Sequence, residues 1–207
     1  MFTIWRGCND AQPIVPADRL RRPLNSNVSR PTTTHFMRID IQQTTEADWL
    51  DLKKIRIESL MESPKAFGLT YEAVSAYTDN QWRERAGNRT PPVYFIARDD
   101  EDPVGLIGGV KANSEFNLIA MWVAPSHRGL GVGKTLVARV LSTAESRGES
   151  EVSLFVSPLN KAASALYESM GFRFTQYFEA LESFPQITVQ RMAVVLGIPL
   201  AGANADA

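Results

Sequence analysis

The stretch Ala124-Pro125-Ser126-His127-Arg128-Gly129-Leu130-Gly131-Val132-Gly133 constrains this chain more than any other. It separates an apolar, strand-like run ending at Val123 from a segment in which Leu136, Val137, Val140 and Leu141 recur at helical spacing. Glycines at alternate positions let a backbone turn sharply and approach a ligand without Cβ obstruction, while a helix start supplies unpaired N–H groups and a partial positive charge. A strand, such a turn and a helix together make an anion site inside a mixed architecture of strands and helices. The spacing then narrows the anion. A dinucleotide turn needs G-x-G-x-x-G, but Gly129, Gly131 and Gly133 simply alternate. A P-loop needs a glycine five residues before Gly133-Lys134-Thr135, and Arg128 stands there.

Around that turn the chain divides into three parts. Residues 1–36 hold Pro13, Pro16, Pro23 and Pro31, five arginines and no sustained period of 2 or 3.6, so they have little to bury and read as a disordered extension. An organelle transit peptide is the alternative for so arginine-rich a start, opposed by Asp10, Asp18 and the prolines. An ordered domain is expected over residues 37–196, followed by a flexible tail at 197–207.

Within the domain Ile39 and Ile41 alternate as a strand, and Thr45 followed by Asp48 marks a capping-box start for a helix over residues 46–61. Trp49, Leu52, Ile55, Ile57 and Leu60 share its apolar arc, and Arg56 projects into the middle of that arc, either snorkelling or lining a cleft. A second helix is expected over 71–85, then a hairpin of 93–97 and 104–110 across the acidic turn Asp99-Asp100-Glu101-Asp102. Strands at 116–123 and 152–156 alternate with helices at 131–147 and 161–170, whose ends are marked by Gly148 and Gly171. Two last strands are expected near 172–177 and 191–196, with 178–186 connecting them. The order of elements is that of a mixed-sheet α/β (α+β) domain.

Twenty-two basic residues against 23 acidic ones leave a formal charge of −1, which gives no general footprint for nucleic acid or an anionic membrane, so neither is expected as a partner. The lone Cys8 excludes an internal disulfide and, with two histidines, leaves too few ligands for an ordinary structural zinc site; no metal is expected. The apolar runs fall far short of the roughly 20 residues that span a bilayer, and a cytoplasmic setting is expected. A homodimer is left open.

The string Val123-x-Pro125-x-x-Arg128-Gly129-x-Gly131-x-Gly133 resembles the R/Q-x-x-G-x-G/A signature of the GCN5-related N-acetyltransferase (GNAT) superfamily. The likeness continues in Asn160-Lys161-x-Ala163-x-x-x-Tyr167-x-x-x-Gly171-Phe172, similar to that superfamily's fourth helix and its exit. Upstream, Glu62-Ser63-Pro64-Lys65-Ala66-Phe67-Gly68 is similar to the connection between the first two helices in many bacterial members. The resemblance implies a mixed, mostly antiparallel twisted sheet flanked by helices. It also implies an acyl-CoA-dependent N-acyltransferase that passes the acetyl group of acetyl-CoA directly to an amine acceptor, a small-molecule amine foremost.

By the same resemblance the backbone of Arg128, Gly129, Leu130, Gly131, Val132 and Gly133, continued by Lys134, holds the acetyl-CoA pyrophosphate. Met121, Trp122 and Val123 pair with the pantetheine arm, and the N–H of Trp122 or Val123 aims at the thioester oxygen. Asn160, Ala163 and Tyr167 form a helical stripe along that arm, with Tyr167 placed to protonate the departing CoA thiolate. Asn117 stands where several members carry a glutamate base and cannot take a proton. Glu115, on the same face two residues earlier, is the candidate base, beside a water relay or an amine that arrives deprotonated. Residues 63–69, Arg56 and residues 178–186 are expected to wall the substrate, and Glu179 and Glu182 would favour a cationic amine if they face the cleft. The alternatives are a non-catalytic CoA-binding sensor or scaffold, a protein or peptide amine acetyltransferase, and a P-loop-like nucleotide binder.

Overall fold

In the computed structural model, which describes residues 38–197, the chain enters through strand β1, Ile39–Gln43. The Thr45 N–H donates to Asp48 Oδ2 at 2.7 Å, setting a short 3-10 turn, Glu46–Asp48, that leads into helix α1, Trp49–Glu62. Helix α1 buries Leu52, Ile55, Arg56, Ser59 and Leu60, and stops before Ser63 and the donor-less Pro64. The single helix expected over 71–85 is in fact two, α2 at Tyr71–Ser75 and α3 at Asp79–Ala86. Thr78 Oγ1 accepts the Gln81 N–H at 3.3 Å while the Thr78 N–H donates to Gln81 Oε1 at 2.8 Å. This reciprocal cap begins a new helix within a stretch whose apolar period reads straight through.

The rest follows as β2 (Val93–Asp99), β3 (Asp102–Ala112), β4 (Glu115–Val123), α4 (Val132–Ser146), β5 (Glu151–Val156), α5 (Lys161–Ser169), β6 (Arg173–Leu181) and β7 (Phe184–Val195). One seven-stranded sheet has the order β1-β2-β3-β4-β5-β7-β6. Every neighbouring pair is antiparallel except β4 with β5. This is the mixed, mostly antiparallel sheet that the resemblance implies.

The last two strands are much longer than expected. Phe178 pairs with Gln190, Glu179 with Val189 and Ala180 with Thr188, so 178–186 is the end of a hairpin rather than a connection. Leu181 and Val189 point inward, but Tyr177, Phe178, Glu179 and Ala180 are exposed, and no alternation marks this arm as a strand.

Two apolar layers sandwich the sheet. On one face α4 brings Leu136, Val137 and Val140 against Phe116, Leu118, Val152, Leu154 and Met192, joined by Tyr167 and Phe172. Gly109 admits this packing, because a Cβ there would stand 2.8 Å from Phe116 Cζ. On the other face α1 and α3 bring Leu52, Ile55, Leu60 and Trp82 against Ile96, Leu106 and Trp122. The expectations for residues 1–36 and for the tail beyond Gly197 lie outside the described residues, among which no helix is long and apolar enough to cross a membrane.

Candidate active site

The sheet opens at its parallel pair. β4 and β5 are joined at Phe116 with Val152 and Asn117 with Ser153. Beyond that apex β4 stays bonded to β3 and β5 to β7, so the facing edges of residues 118–123 and 154–156 part. A bulge adds to the divergence. Leu106 pairs with Trp122 and Gly108 with Ile119, leaving Ala120 and Met121 opposite Ile107, and Ala120 takes φ +54. A non-glycine residue in that region is strained by about 1–2 kcal/mol, a cost that the surrounding sheet sustains.

The glycine turn closes one end of this split. A Cβ on Gly133 would lie 3.1 Å from Met121 Cε and 3.2 Å from Leu166 Cδ2, so the first turn of α4 rests on both β4 and α5. Gly129 (φ +76) and Gly131 (φ +87, ψ −13) are left-handed, and a Cβ at either would meet nothing within 4 Å. The Arg128 N–H is used on Pro125 O at 3.4 Å, and Thr135 is the first residue to bond back, to Gly131 O at 3.2 Å. Between them the N–H groups of residues 129–134 have no backbone acceptor among the described residues. Such a row suits an anion with charge spread over several oxygens.

Arg128, though exposed, is tied to β4 and to the end of α1. Its Nε donates to Val123 O at 2.9 Å, and Nη2 and Nη1 donate to Glu62 at 2.8 and 3.3 Å. Glu62 also accepts from Trp122 Nε1 at 3.0 Å and from the neighbouring Ser63 hydroxyl. These donors, Arg128 first, then Ser63 and Trp122, pull the Glu62 carboxyl down to about 2. Glu62 thus ties the end of α1 to β4 and to the root of the turn. Its signal in the sequence was Glu62-Ser63-Pro64, which reads only as a connection between helices.

On α5, Asn160 Oδ1 accepts the Ala163 N–H at 3.1 Å, so their spacing also serves the helix start. Ala163 is half-buried against the core, and Tyr167 is buried with its ring edge-to-face on Phe172 at 5.7 Å. Burial pushes the Tyr167 phenol up, which keeps it protonated at neutral pH.

Asn117 occupies the apex, where its Oδ1 accepts from Ser153 Oγ at 2.9 Å. Glu115 pairs with Arg191 at 3.3 Å and accepts from Ser153 Oγ at a long 3.5 Å. Five positions separate Glu115 from Ala120, roughly 16 Å along an extended strand, so the fold does not bring this carboxylate to the bulge.

The expected substrate walls do meet. The Arg56 guanidinium stacks over the Phe67 ring at 4.5 Å, and Ser183 Oγ at the hairpin tip donates to Phe67 O at 2.5 Å. Near that tip partial burial, and then the charge of Glu182, raise the Glu179 carboxyl. Thr135 Oγ1 lies 3.3 Å from Gly131 O and donates to it, turned back on the loop rather than out toward a nucleotide-bound metal.

A family model for the acetyltransferase (GNAT) family matches residues 55–172. N-acetyltransferase 8 of Homo sapiens is 34% identical over 88 residues, covering 40% of this chain and 39% of that protein. Mycothiol acetyltransferase of Thermobispora bispora is 29% identical over 163 residues, covering 74% of this chain and 52% of that protein. The chain therefore spans only about two-fifths to one half of these curated relatives. Among solved structures, the PaiA N-acetyltransferase from Thermoplasma acidophilum in complex with coenzyme A shares the fold, with a TM-score of 0.59 at 16% identity over 77% of this chain and 99% of that one.

Proposed function

The chain belongs to the acetyltransferase (GNAT) family, and from that premise we propose that it is an N-acetyltransferase passing the acetyl group of acetyl-CoA directly to a small-molecule amine. The observation that carries this reading is the parting of β4 from β5 with a row of unpaired N–H groups at one end of the gap. The residues present fit the cosubstrate. An extended arm lying in the gap would satisfy the free edge of Met121, Trp122 and Val123 as an added strand would. Residues 129–134 would take the diphosphate, with Gly129 and Gly131 keeping Cβ atoms out of its approach.

Acetyl-CoA supplies an activated thioester; the protein supplies position and two polar contacts. The bulge at Ala120 re-aims the main chain beside it, which favours the N–H of Trp122 or Val123 as the donor to the thioester oxygen, an interaction of about 3–4 kcal/mol in acyl-transfer sites. Tyr167, held protonated, donates to the departing thiolate. Asn117 and Ser153 at the apex cannot accept a proton at neutral pH, so the acceptor enters as the free amine. Its nitrogen bonds to the thioester carbon as the C–S bond breaks, and the proton that the nitrogen loses passes through water to restore the Tyr167 phenol.

Calorimetry with acetyl-CoA, CoA and ATP, followed by thiol release across a panel of amines with product masses read, tests the proposal. Tight acetyl-CoA binding and amine-dependent thiol release are expected. Preference for ATP would sink it, and CoA binding without transfer to any amine would replace the enzyme with a sensor.

A further inference from the structure

Building on that reading, we propose that Arg56 binds an acidic group on the acceptor, so that the acetylated amine belongs to a molecule that also carries a carboxylate or phosphate. Arg56 sits on the apolar face of α1 with 7% of its surface exposed. Its guanidinium rests on the Phe67 ring, donates from Nη1 to Ser59 Oγ at 3.3 Å, and makes no ion pair among the described residues. The remaining N–H donors of this largely buried guanidinium are costly to leave without an anion. Two half-buried arginines elsewhere in the fold are ion-paired. Arg98 pairs with Asp48 and Asp51, and Arg191 with Glu115 and Glu151.

The surroundings of Arg56 reinforce its charge and connect it to the transfer site. Arg85, 9% exposed, lies over the Tyr77 ring at 4.3 Å, and the charges of both arginines act on the phenol of Tyr94. Tyr94 in turn reaches Gly108, whose Cβ position is 3.1 Å from Tyr94 Cε1 and 3.1 Å from Ile119 Cγ1. Ile119 immediately precedes the Ala120 bulge. The two arginines are therefore linked through Tyr94 and then Ile119 to the start of the β4 bulge, on the α1 face of the sheet. Ser183 holds Phe67 over Arg56 from the hairpin. Burial lowers the Arg56 pKa, yet a guanidinium keeps its charge throughout the neutral range.

Matched acceptors that differ only in the acidic group test this: phenylalanine against phenethylamine, and O-phosphoethanolamine against ethanolamine. Acetyl transfer gives kcat/KM for each, and calorimetry on the CoA-loaded protein gives acceptor affinity without turnover. The acidic member of at least one pair should lead by about ten- to a hundredfold, chiefly in KM, as expected for a charge-assisted contact. Which pair shows the lead identifies the group as carboxylate or phosphate. In Arg56→Gln the ratio should fall to near one, whereas Arg56→Lys should keep part of it. Both members are read on one preparation, so a loss of folded protein cancels in the ratio.

Equal use of both members by the unaltered protein, or an undiminished lead in Arg56→Gln, would overturn the assignment. Selective, Arg56-dependent binding without any transfer would instead uphold the subsite and refute the acetyltransferase reading.

Discussion

Gly131→Ala separates what the glycine turn costs the fold from what it gives the ligand. At φ +87 and ψ −13 an L-residue pays about 1–2 kcal/mol. The added Cβ meets nothing within 4 Å, so no internal clash enlarges that figure. At about 2–4 °C per kcal/mol for a domain of this size, Tm of the free protein should fall by roughly 2–8 °C and the variant should still fold. Binding is affected separately, because on the proposed reading the methyl group enters the open space that the diphosphate would take. Losing one charge-assisted hydrogen bond, about 1.5–3 kcal/mol, should weaken CoA by roughly tenfold or more. Gly148→Ala is the control. It carries the same left-handed penalty at φ +74, with the same open surroundings, at the other end of α4. Thermal melts without ligand and calorimetry with CoA read both effects. Unchanged CoA affinity in folded Gly131→Ala, or an equal affinity loss in Gly148→Ala, would refute the turn as the diphosphate site.

Three further outcomes are expected. Tyr167→Phe keeps the ring on Phe172 and should preserve acetyl-CoA affinity while lowering turnover by about a hundredfold; unchanged turnover with chemistry rate-limiting would remove Tyr167 as the acid. Glu62, near 2 when folded against an ordinary 4.5, stabilises the native state above about pH 4.5 and loses that contribution as pH falls toward 2. Acid melts of the unaltered protein should therefore drop more steeply across that window than those of Glu62→Gln, and parallel curves would discard the anchor. Asn160→Ala should cost about 0.5–2 kcal/mol by denaturant unfolding, and no loss would show that the α5 cap is not what Asn160 provides.

Local chemistry made the glycine turn readable without any structure. Gly129 and Gly131 adopt the left-handed backbone that their residue type permits, Asn160 caps the helix it precedes, and the apolar periods of β4 and α4 hold. Each of these depends on residues within a few positions of one another. Periodicity failed where a local cap or a solvated arm interrupted it, at Thr78 between α2 and α3 and in the long end of the β6–β7 hairpin. The site itself needed the tertiary structure. A strand's period of two says which face a residue takes but not which strand lies beside it, so the parting of β4 from β5 and the bulge at Ala120 were invisible in the sequence. The same holds for Glu62 meeting Arg128 across 66 positions, and for Ser183 meeting Phe67 across 116. The sequence determined that an anion could sit at the start of α4. Only long-range packing decided what opens beside that turn, and it left Arg56 stacked on Phe67 without a carboxylate among the described residues.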